Sequence, residues 1–348
     1  MTSAEIIYEM ETRLLLNMIR LLSKGAVGSA EWQAKKLAEL GNIRDIHTAI
    51  IKNDLREAIS AAMSEISARG ESAAKQAERG IPEEKLAEAL PPDADPMLVR
   101  IWETWQKTTS DQLSTIGSSL LSRSQQMYIE AVYKATAAQL AGQITGRQAI
   151  AETATEWART GIPALVDKAG RHWTPEAYAA TVVRANTNNV ARATQDERFD
   201  QFDQDLVQVS SHAGSRPEHI PFQSHVFSRS GTSKKYPPLS ITGYGEVDGI
   251  GGINCSHFIY AYQEGDKKAY EPYPVIESKE VYAQSQKQRA IERSIRAAKR
   301  ELTLLDPVKE QAAIARAKER VANRQKAMRD FIDETGRTRR RDREQIYQ

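Results

Sequence analysis

The sequence predicts a mainly α protein with a small α+β module between two helical parts. Three observations lead to this fold class. Apolar residues recur at helical spacing over residues 1–203, the period disappears between Leu206 and Gln263 where glycine and proline are dense, and it returns from Ser278. We therefore divide the chain into a helical N-terminal region (1–205, with a linker at about 70–96), a loop-rich α+β module (206–277), and a basic helical arm with a tail (278–348).

The N-terminal region reads as a succession of capped helices. A first amphipathic helix from Ile6 to Leu22 is expected to end before Gly25. Gly41–Asn42 is expected to end the second helix, and Gly70 to end the third. The predicted helices after the first are 31–40, 43 to about 70, a short helix in the linker, 96–116, 118–141, one capped by Thr145 that runs to Arg159, and one capped by Thr174 that runs to about Phe202.

The loop-rich module contains short β-type runs at Leu206–Val209, Val226–Phe227 and Phe258–Tyr260. Its glycine run, 243–252, lacks the Gly-Lys-Ser/Thr ending of a phosphate-binding loop and precedes a strand-like run instead of a helix. Tight turns explain these glycines better than nucleotide binding does.

The C-terminal arm contains two amphipathic helical runs. Apolar residues from Ile291 to Leu305 follow a heptad pattern, and a second run extends from Ile314 to Phe331. Asp306–Pro307 is predicted to be the N-cap and first turn of the second helix. The pattern leaves open whether the chain forms a hairpin or a kink at Pro307.

Charge is divided unevenly along the chain. The total is +2, but residues 286–348 contain 18 basic and 10 acidic residues, a net charge of +8, which leaves −6 for residues 1–285. The basic residues are compatible with a surface that faces nucleic acid or an acidic partner, or with a solvated coiled-coil face. The tail residues considered for such a contact are Arg337, Arg339, Arg340, Arg341 and Arg343.

Composition also excludes several classes of protein. Cys255 is the only cysteine, so an intrachain disulfide and a four-cysteine zinc site are excluded, and a reducing compartment is expected. No apolar run approaches the roughly 20 residues of a membrane span. The first ten residues contain no lysine or arginine, so we expect a soluble protein without an N-terminal export signal.

Histidines are concentrated in the loop-rich module, together with the cysteine. The candidate metal ligands are His212, His219, His225, Cys255 and His257. A zinc site would use Cys255, His257 and one or two earlier histidines, although the usual paired spacings are absent. Catalysis by a cysteine thiolate or by a metal-dependent nuclease is a second interpretation. The favoured third interpretation is structural. The side chains would form hydrogen bonds with buried backbone groups in a fold that has few regular hydrogen bonds between strands.

Two segments of the module carry a family resemblance. SSHAGSRPEHIPFQSHVFSRSG (210–231) and YPPLSITGYGEVDGIGGINCSHFIYAYQEG (236–265) resemble the phage minor capsid protein 2 family of tailed bacteriophages, which is related in role to the Mu F-like head morphogenesis proteins. AEWQAKKLAELG, QRAIERSIRAAKREL and RQKAMRDFIDETGRTRRRDR are similar to the family's helices. The residues that match the signature are Ser211, His212, Gly214, Arg216, Pro217, His219, Asn254, Cys255 and His257.

The resemblance implies a minor structural protein of the virion, present in few copies in the phage head and assembled in the host cytoplasm. Its implied partners are the portal protein, the major capsid protein or both, with packaged double-stranded DNA as a further candidate; no membrane and no small-molecule substrate is expected, and no cofactor unless the zinc site considered above exists. It implies no catalytic residues. Many relatives carry arginine between the cysteine and the histidine, where this chain has Ser256. The alternative is a metal-dependent hydrolase or nuclease carried in the head.

Overall fold

A computed structural model describes residues 1–142, 144–163, 165–166 and 170–346, and the predicted fold class is confirmed. The helices are α1 (Ser3–Leu22), α2 (Ala30–Ala38), α3 (Leu40–Ala77), α4 (Glu83–Leu86), α5 (Pro96–Leu140), α6 (Gly146–Thr160), α7 (Pro175–Gln201), α8 (Val275–Leu305) and α9 (Gln311–Thr335). The strands are β1 (Leu165–Val166), β2 (His172–Trp173), β3 (Leu206–Val209), β4 (Val226–Ser228) and β5 (Ile259–Ala261).

The chain forms two compact units. Unit 1 comprises residues 1–58, 113–179 and 287–348, and unit 2 comprises residues 59–112 and 180–286. The three-part division proposed above stays a prediction about independently folding domains.

In unit 1, α1 provides much of the core. The side chain of Thr2 accepts a hydrogen bond from the Glu5 amide, and the Glu5 carboxylate accepts one from the Thr2 amide, which completes a capping box. Seven apolar side chains of α1 are fully buried: Ile7, Met10, Leu14, Leu15, Met18, Ile19 and Leu22. Burial of each contributes roughly 1.5–3 kcal/mol of transfer free energy. The predicted cap of α6 is confirmed, because Thr145 and Gln148 form a second capping box.

Three glycines do not end helices where the sequence led us to expect it. Gly41 lies at the start of α3, α3 continues through Gly70, and α5 continues through Gly117, so the two helices predicted at 96–116 and 118–141 are one. A helical glycine costs about 1 kcal/mol relative to alanine. In unit 2, a Cβ at Gly70 would overlap the indole of Trp102, and the missing side chain therefore allows close packing.

The helices of the C-terminal arm form a hairpin. A short 3-10 turn at Asp306–Val308 follows α8, and Lys309 adopts a left-handed φ of 59°. Glu310 is the N-cap of α9, so the predicted cap at Asp306–Pro307 is wrong. Ile295 of α8 packs with Met328 and Phe331 of α9, as expected for antiparallel neighbours.

In unit 2, the three predicted β runs form an antiparallel sheet of order β4-β3-β5. In the central strand, Val207 lies opposite Phe227 of β4 and Ala261 of β5. The sheet packs against Phe199 of α7 in a core that also contains Val209, Leu239, Ile250 and Ile259. The antiparallel pairing of β1 with β2 in unit 1 was not predicted.

The predicted linker at 70–96 is fixed in place by one buried arginine. Residues up to Ala77 belong to α3. Arg198 of α7 is only 2% exposed and donates hydrogen bonds to Glu78, to the Leu90 carbonyl and to Asp95. In the part of the chain that the structure describes, no helix is both long and apolar enough to cross a membrane.

Candidate functional site

The connection from β3 to β4 and the segment before β5 bring the candidate ligands together in unit 2. Val209 of β3 lies opposite Ile259 of β5. Just beyond this pair, the Ser210 amide donates to the Phe258 carbonyl at 2.9 Å, and the Phe258 amide donates to the Ser210 hydroxyl at 3.1 Å. The chain therefore places the His212–His219 connection beside Cys255 and His257.

His219, Cys255 and His257 form the centre of the site, and their side-chain donor atoms lie within 4.8 Å of one another. The Cys255 Sγ is 3.6 Å from Nδ1 of His219 and 3.4 Å from Nδ1 of His257. The three residues are 2%, 6% and 5% exposed, respectively. We call this group the His–Cys cluster. Such donor atoms are typical zinc ligands.

The second ring nitrogen of each histidine in the His–Cys cluster has a partner that points away from the sulfur. Nε2 of His219 lies 2.6 Å from the Asp248 carbonyl oxygen, and it must donate because that oxygen can only accept. Nε2 of His257 lies 3.4 Å from the Ser215 hydroxyl. The proton on Nε2 of His219 leaves a lone pair on Nδ1, which faces Cys255.

The two other candidate histidines differ from each other. The His212 ring centroid lies 4.4 Å from that of His257, and its Nδ1 is 3.0 Å from the Ala213 carbonyl oxygen. Its Nε2 is buried without a hydrogen-bond partner among the described residues. His225 is exposed, and its Nδ1 lies 2.9 Å from the Gln223 carbonyl oxygen. The structure thus groups three of the five candidates, places His212 beside them and leaves His225 outside.

Burial controls the protonation of the His–Cys cluster. It raises the pKa of the Cys255 thiol, and it lowers the pKa of His219. For His257, burial and then the neighbouring His212 and His219 lower the pKa to about 3. At neutral pH the metal-free group is therefore a thiol between neutral imidazoles. A nucleophilic cysteine needs the opposite arrangement, a thiolate favoured by a positive neighbour.

The other signature residues fix the loops around the cluster. Arg216 donates to the Ile253 carbonyl oxygen, and Ser211 accepts from the Tyr273 amide at 2.9 Å. Asn254 and Gly214 adopt positive φ angles of 58° and 73°. Pro217 is exposed.

Two amides of α7 also hold the segment before β5, and sequence reasoning missed both. Nδ2 of Asn188 donates to the carbonyl oxygens of Gly252 and Cys255 at 2.6 and 3.2 Å. Nε2 of Gln195 donates to the Ile259 carbonyl oxygen at 3.0 Å. The sequence feature that could have identified them is their spacing of seven residues, which places both amides on one face of the helix.

The arginines of the tail divide into paired and exposed residues. Arg339 forms two hydrogen bonds to the Glu344 carboxylate, and Arg337 donates to the Gln288 side chain at 2.8 Å. Arg343 is exposed, with its Nη1 4.0 Å from Glu292. Arg340 and Arg341 are exposed. They are the tail residues best placed to meet a partner.

Several arginines of the arm make contacts within unit 1. Arg300 was considered part of a basic surface, but it is 4% exposed and pairs with Glu11 of α1. Arg296 pairs with Glu176 at 2.6 Å. The helical part of the arm therefore offers a less basic surface than its sequence predicts.

The described residues thus form long helices, a small antiparallel sheet and a buried His–Cys cluster. The chain belongs to the phage minor capsid protein 2 family, whose sequence model matches residues 3–333. A relative in Lactococcus phage LL-H, described as "Structural protein", is 27% identical over 262 residues, which cover 70% of this chain and 69% of the relative. No solved structure matches the chain. The resemblance seen in the sequence is confirmed.

Proposed function

We propose that the protein is a minor structural component of a tailed-phage virion that acts in head assembly at or near the portal. The family match over residues 3–333 is the observation that carries this proposal. The relative described as a structural protein supports it. The proposed partners are the portal protein, the major capsid protein or both, and the proposed location is the head. The function is binding, not turnover.

The environment of Cys255 favours this role over a hydrolase or nuclease. Its thiol is buried and its pKa is raised, which is unfavourable for nucleophilic catalysis. A catalytic zinc site keeps a coordination position open to substrate, whereas His219 and His257 are as buried as the cysteine.

A conditional nonsense mutation in the gene tests the assembly role. Under non-permissive conditions, we expect tails of normal appearance together with heads that fail to mature or to join tails, as seen by electron microscopy of the lysate. Expression of the full chain from a plasmid should restore infectious particles. A normal yield of infectious particles without the protein would contradict the proposal.

The protein is further proposed to contact packaged DNA through Arg340 and Arg341. Both side chains are exposed at the end of a chain whose last 63 residues carry a net charge of +8. Neutralisation of phosphates releases counterions, so the logarithm of the binding constant falls linearly with the logarithm of salt concentration.

The test uses the full chain, fluorescent duplex DNA and a salt series. Replacing both arginines with glutamine (Arg340→Gln with Arg341→Gln) should reduce the magnitude of the salt slope by about 1.8, or about 0.9 for each lost phosphate contact. The matched control makes the same charge change at two exposed residues of unit 1, Arg20→Gln with Arg44→Gln, and should leave the slope unchanged. Absence of binding by the wild-type chain at low salt would exclude the DNA contact.

A further inference from the structure

We infer that His219, Cys255 and His257 bind a structural zinc ion, with His212 as the fourth ligand. The side-chain geometry points to the metal, independently of the family match and of the proposed role in the virion.

The two sulfur–nitrogen distances match the edges of a tetrahedral metal site, whereas the donor atoms as a set lie within 4.8 Å of one another and would have to contract around the ion. With Zn–S of about 2.3 Å and Zn–N of about 2.0–2.1 Å, the sulfur–nitrogen edge of a tetrahedron is about 3.6 Å. The two measured sulfur–nitrogen distances are 3.6 Å to His219 and 3.4 Å to His257. These are also the distances of hydrogen bonds to sulfur, but a thiol has one proton and can donate it to only one of the two nitrogens.

The outer contacts of the two histidines are those of metal-bound imidazoles. A ligating histidine commonly donates its other ring N–H to a carbonyl or a similar acceptor, which fixes the tautomer and the ring orientation. His219 donates to the Asp248 carbonyl in this way. The Ser215 hydroxyl lies at hydrogen-bond distance from Nε2 of His257. Both Nδ1 atoms then face the Cys255 sulfur.

His212 accounts for the fourth position. Its ring lies against that of His257, and its Nε2 is a buried nitrogen without a partner among the described residues. A buried polar atom without a hydrogen-bond partner destabilises the folded state, and a metal bond would remove that penalty. His212 is not among the three residues whose donor atoms lie within 4.8 Å of one another, so its ligation requires a rotation of the side chain.

Zinc binding changes no oxidation state and needs no oxidant or reductant. The zinc ion displaces the proton of the Cys255 thiol, which passes to water, and the imidazoles contribute lone pairs. The product is a thiolate–zinc bond and three nitrogen–zinc bonds. The ion would link the β3–β4 connection to the segment before β5, where regular strand pairing is short.

The experiment is metal analysis of the full chain purified without a histidine tag. We expect one zinc ion per chain and one proton released on rebinding at neutral pH. After removal of zinc, Co²⁺ should give the intense visible bands of a tetrahedral site and a sulfur-to-cobalt charge-transfer band. Substoichiometric zinc together with Co²⁺ spectra lacking these bands would overturn the inference.

Four single variants assign the ligands. Cys255→Ser should remove the charge-transfer band, and His257→Ala should abolish stoichiometric binding. His212→Ala should weaken binding at least tenfold, and unchanged affinity would exclude it as a ligand. His225→Ala is the control, because His225 is exposed and outside the cluster, and it should bind like the wild type. If Cys255→Ser fails to fold, the cobalt spectrum of the wild-type chain still decides the question.

Discussion

Replacement of Arg300 by methionine should strongly destabilise unit 1. Arg300 Nη1 donates to the Glu11 carboxylate at 2.8 Å, and its Nε and Nη2 donate to the Ala158 carbonyl oxygen at 3.0 and 2.7 Å. Without the guanidinium, the Glu11 carboxylate, which is 1% exposed, still accepts a hydrogen bond from the Ile162 amide at 2.6 Å but has lost its cationic partner. Breaking a buried pair by removing one partner costs about 3–5 kcal/mol.

The size of this loss should depend on pH. Burial already raises the pKa of Glu11, and Arg300 opposes that rise. In the variant the folded-state pKa of Glu11 should be higher still, so the folded state binds a proton more tightly than the unfolded state does. Stability then decreases as pH rises above the unfolded pKa of about 4.3. The deficit of Arg300→Met relative to the wild type should be larger at pH 8 than at pH 5.

The assay is urea unfolding followed by circular dichroism at both pH values for Arg300→Met, Glu11→Gln and the double variant. A double-mutant cycle isolates the interaction of the two side chains. Arg293→Met is the matched control, since Arg293 is exposed on the same helix and its loss should change stability by about 0.5 kcal/mol or less. If Arg300→Met were no more destabilising than Arg293→Met, the role assigned to the pair would be refuted.

Two other predictions concern a buried histidine and the helical glycines. His47 is fully buried beside Ser124, and burial lowers its pKa to about 4, so stability should fall by roughly 3 kcal/mol as pH decreases from about 6.5 to about 4. His47→Leu should reduce this pH dependence of the urea midpoint, and an unchanged dependence would contradict the reasoning. Gly70→Ala should lose about 1–2 kcal/mol, because overlap with Trp102 outweighs the gain in helix propensity. In Gly41→Ala the added methyl group meets no neighbour, so the free energy of unfolding should increase by about 0.5 kcal/mol. Equal shifts in melting temperature for the two alanine variants would argue against a role of Gly70 in packing.

Local signals in the sequence predicted much of the fold. The cap at Thr145, the start of α7 directly after Thr174 and the short strands all lie where their residues led us to expect them. Each signal depends on neighbours within four residues or on strand periodicity, so it can be read without knowledge of the tertiary structure.

The features that sequence reasoning missed depend on distant contacts. Gly70 lies within a helix, where Trp102 packs against it, and the 31 residues between them carry no local trace of that contact. Arg300 resembles a surface residue until Glu11 is placed beside it, 289 residues away. In general, a basic residue on a helix face is read as solvated unless its buried partner is known.

The candidate site was predicted as a set of residue types without its geometry. Five candidate ligands share one segment of the sequence, but strand pairing of β3 with β5 decides which of them meet. It brings Cys255 and His257 to His219 and leaves His225 exposed. Spacing along the chain contains no information about this selection, because the ligands lie on loops with no regular period.

Quantitative mass spectrometry of purified, DNA-filled heads tests the central claim most directly. We expect peptides of this chain in heads that have been separated from tails and from soluble lysate protein. Their abundance should be of the order of the portal subunit and far below that of the major capsid protein. Presence of the chain in the lysate together with its absence from mature heads would contradict a role as a minor structural protein of the virion.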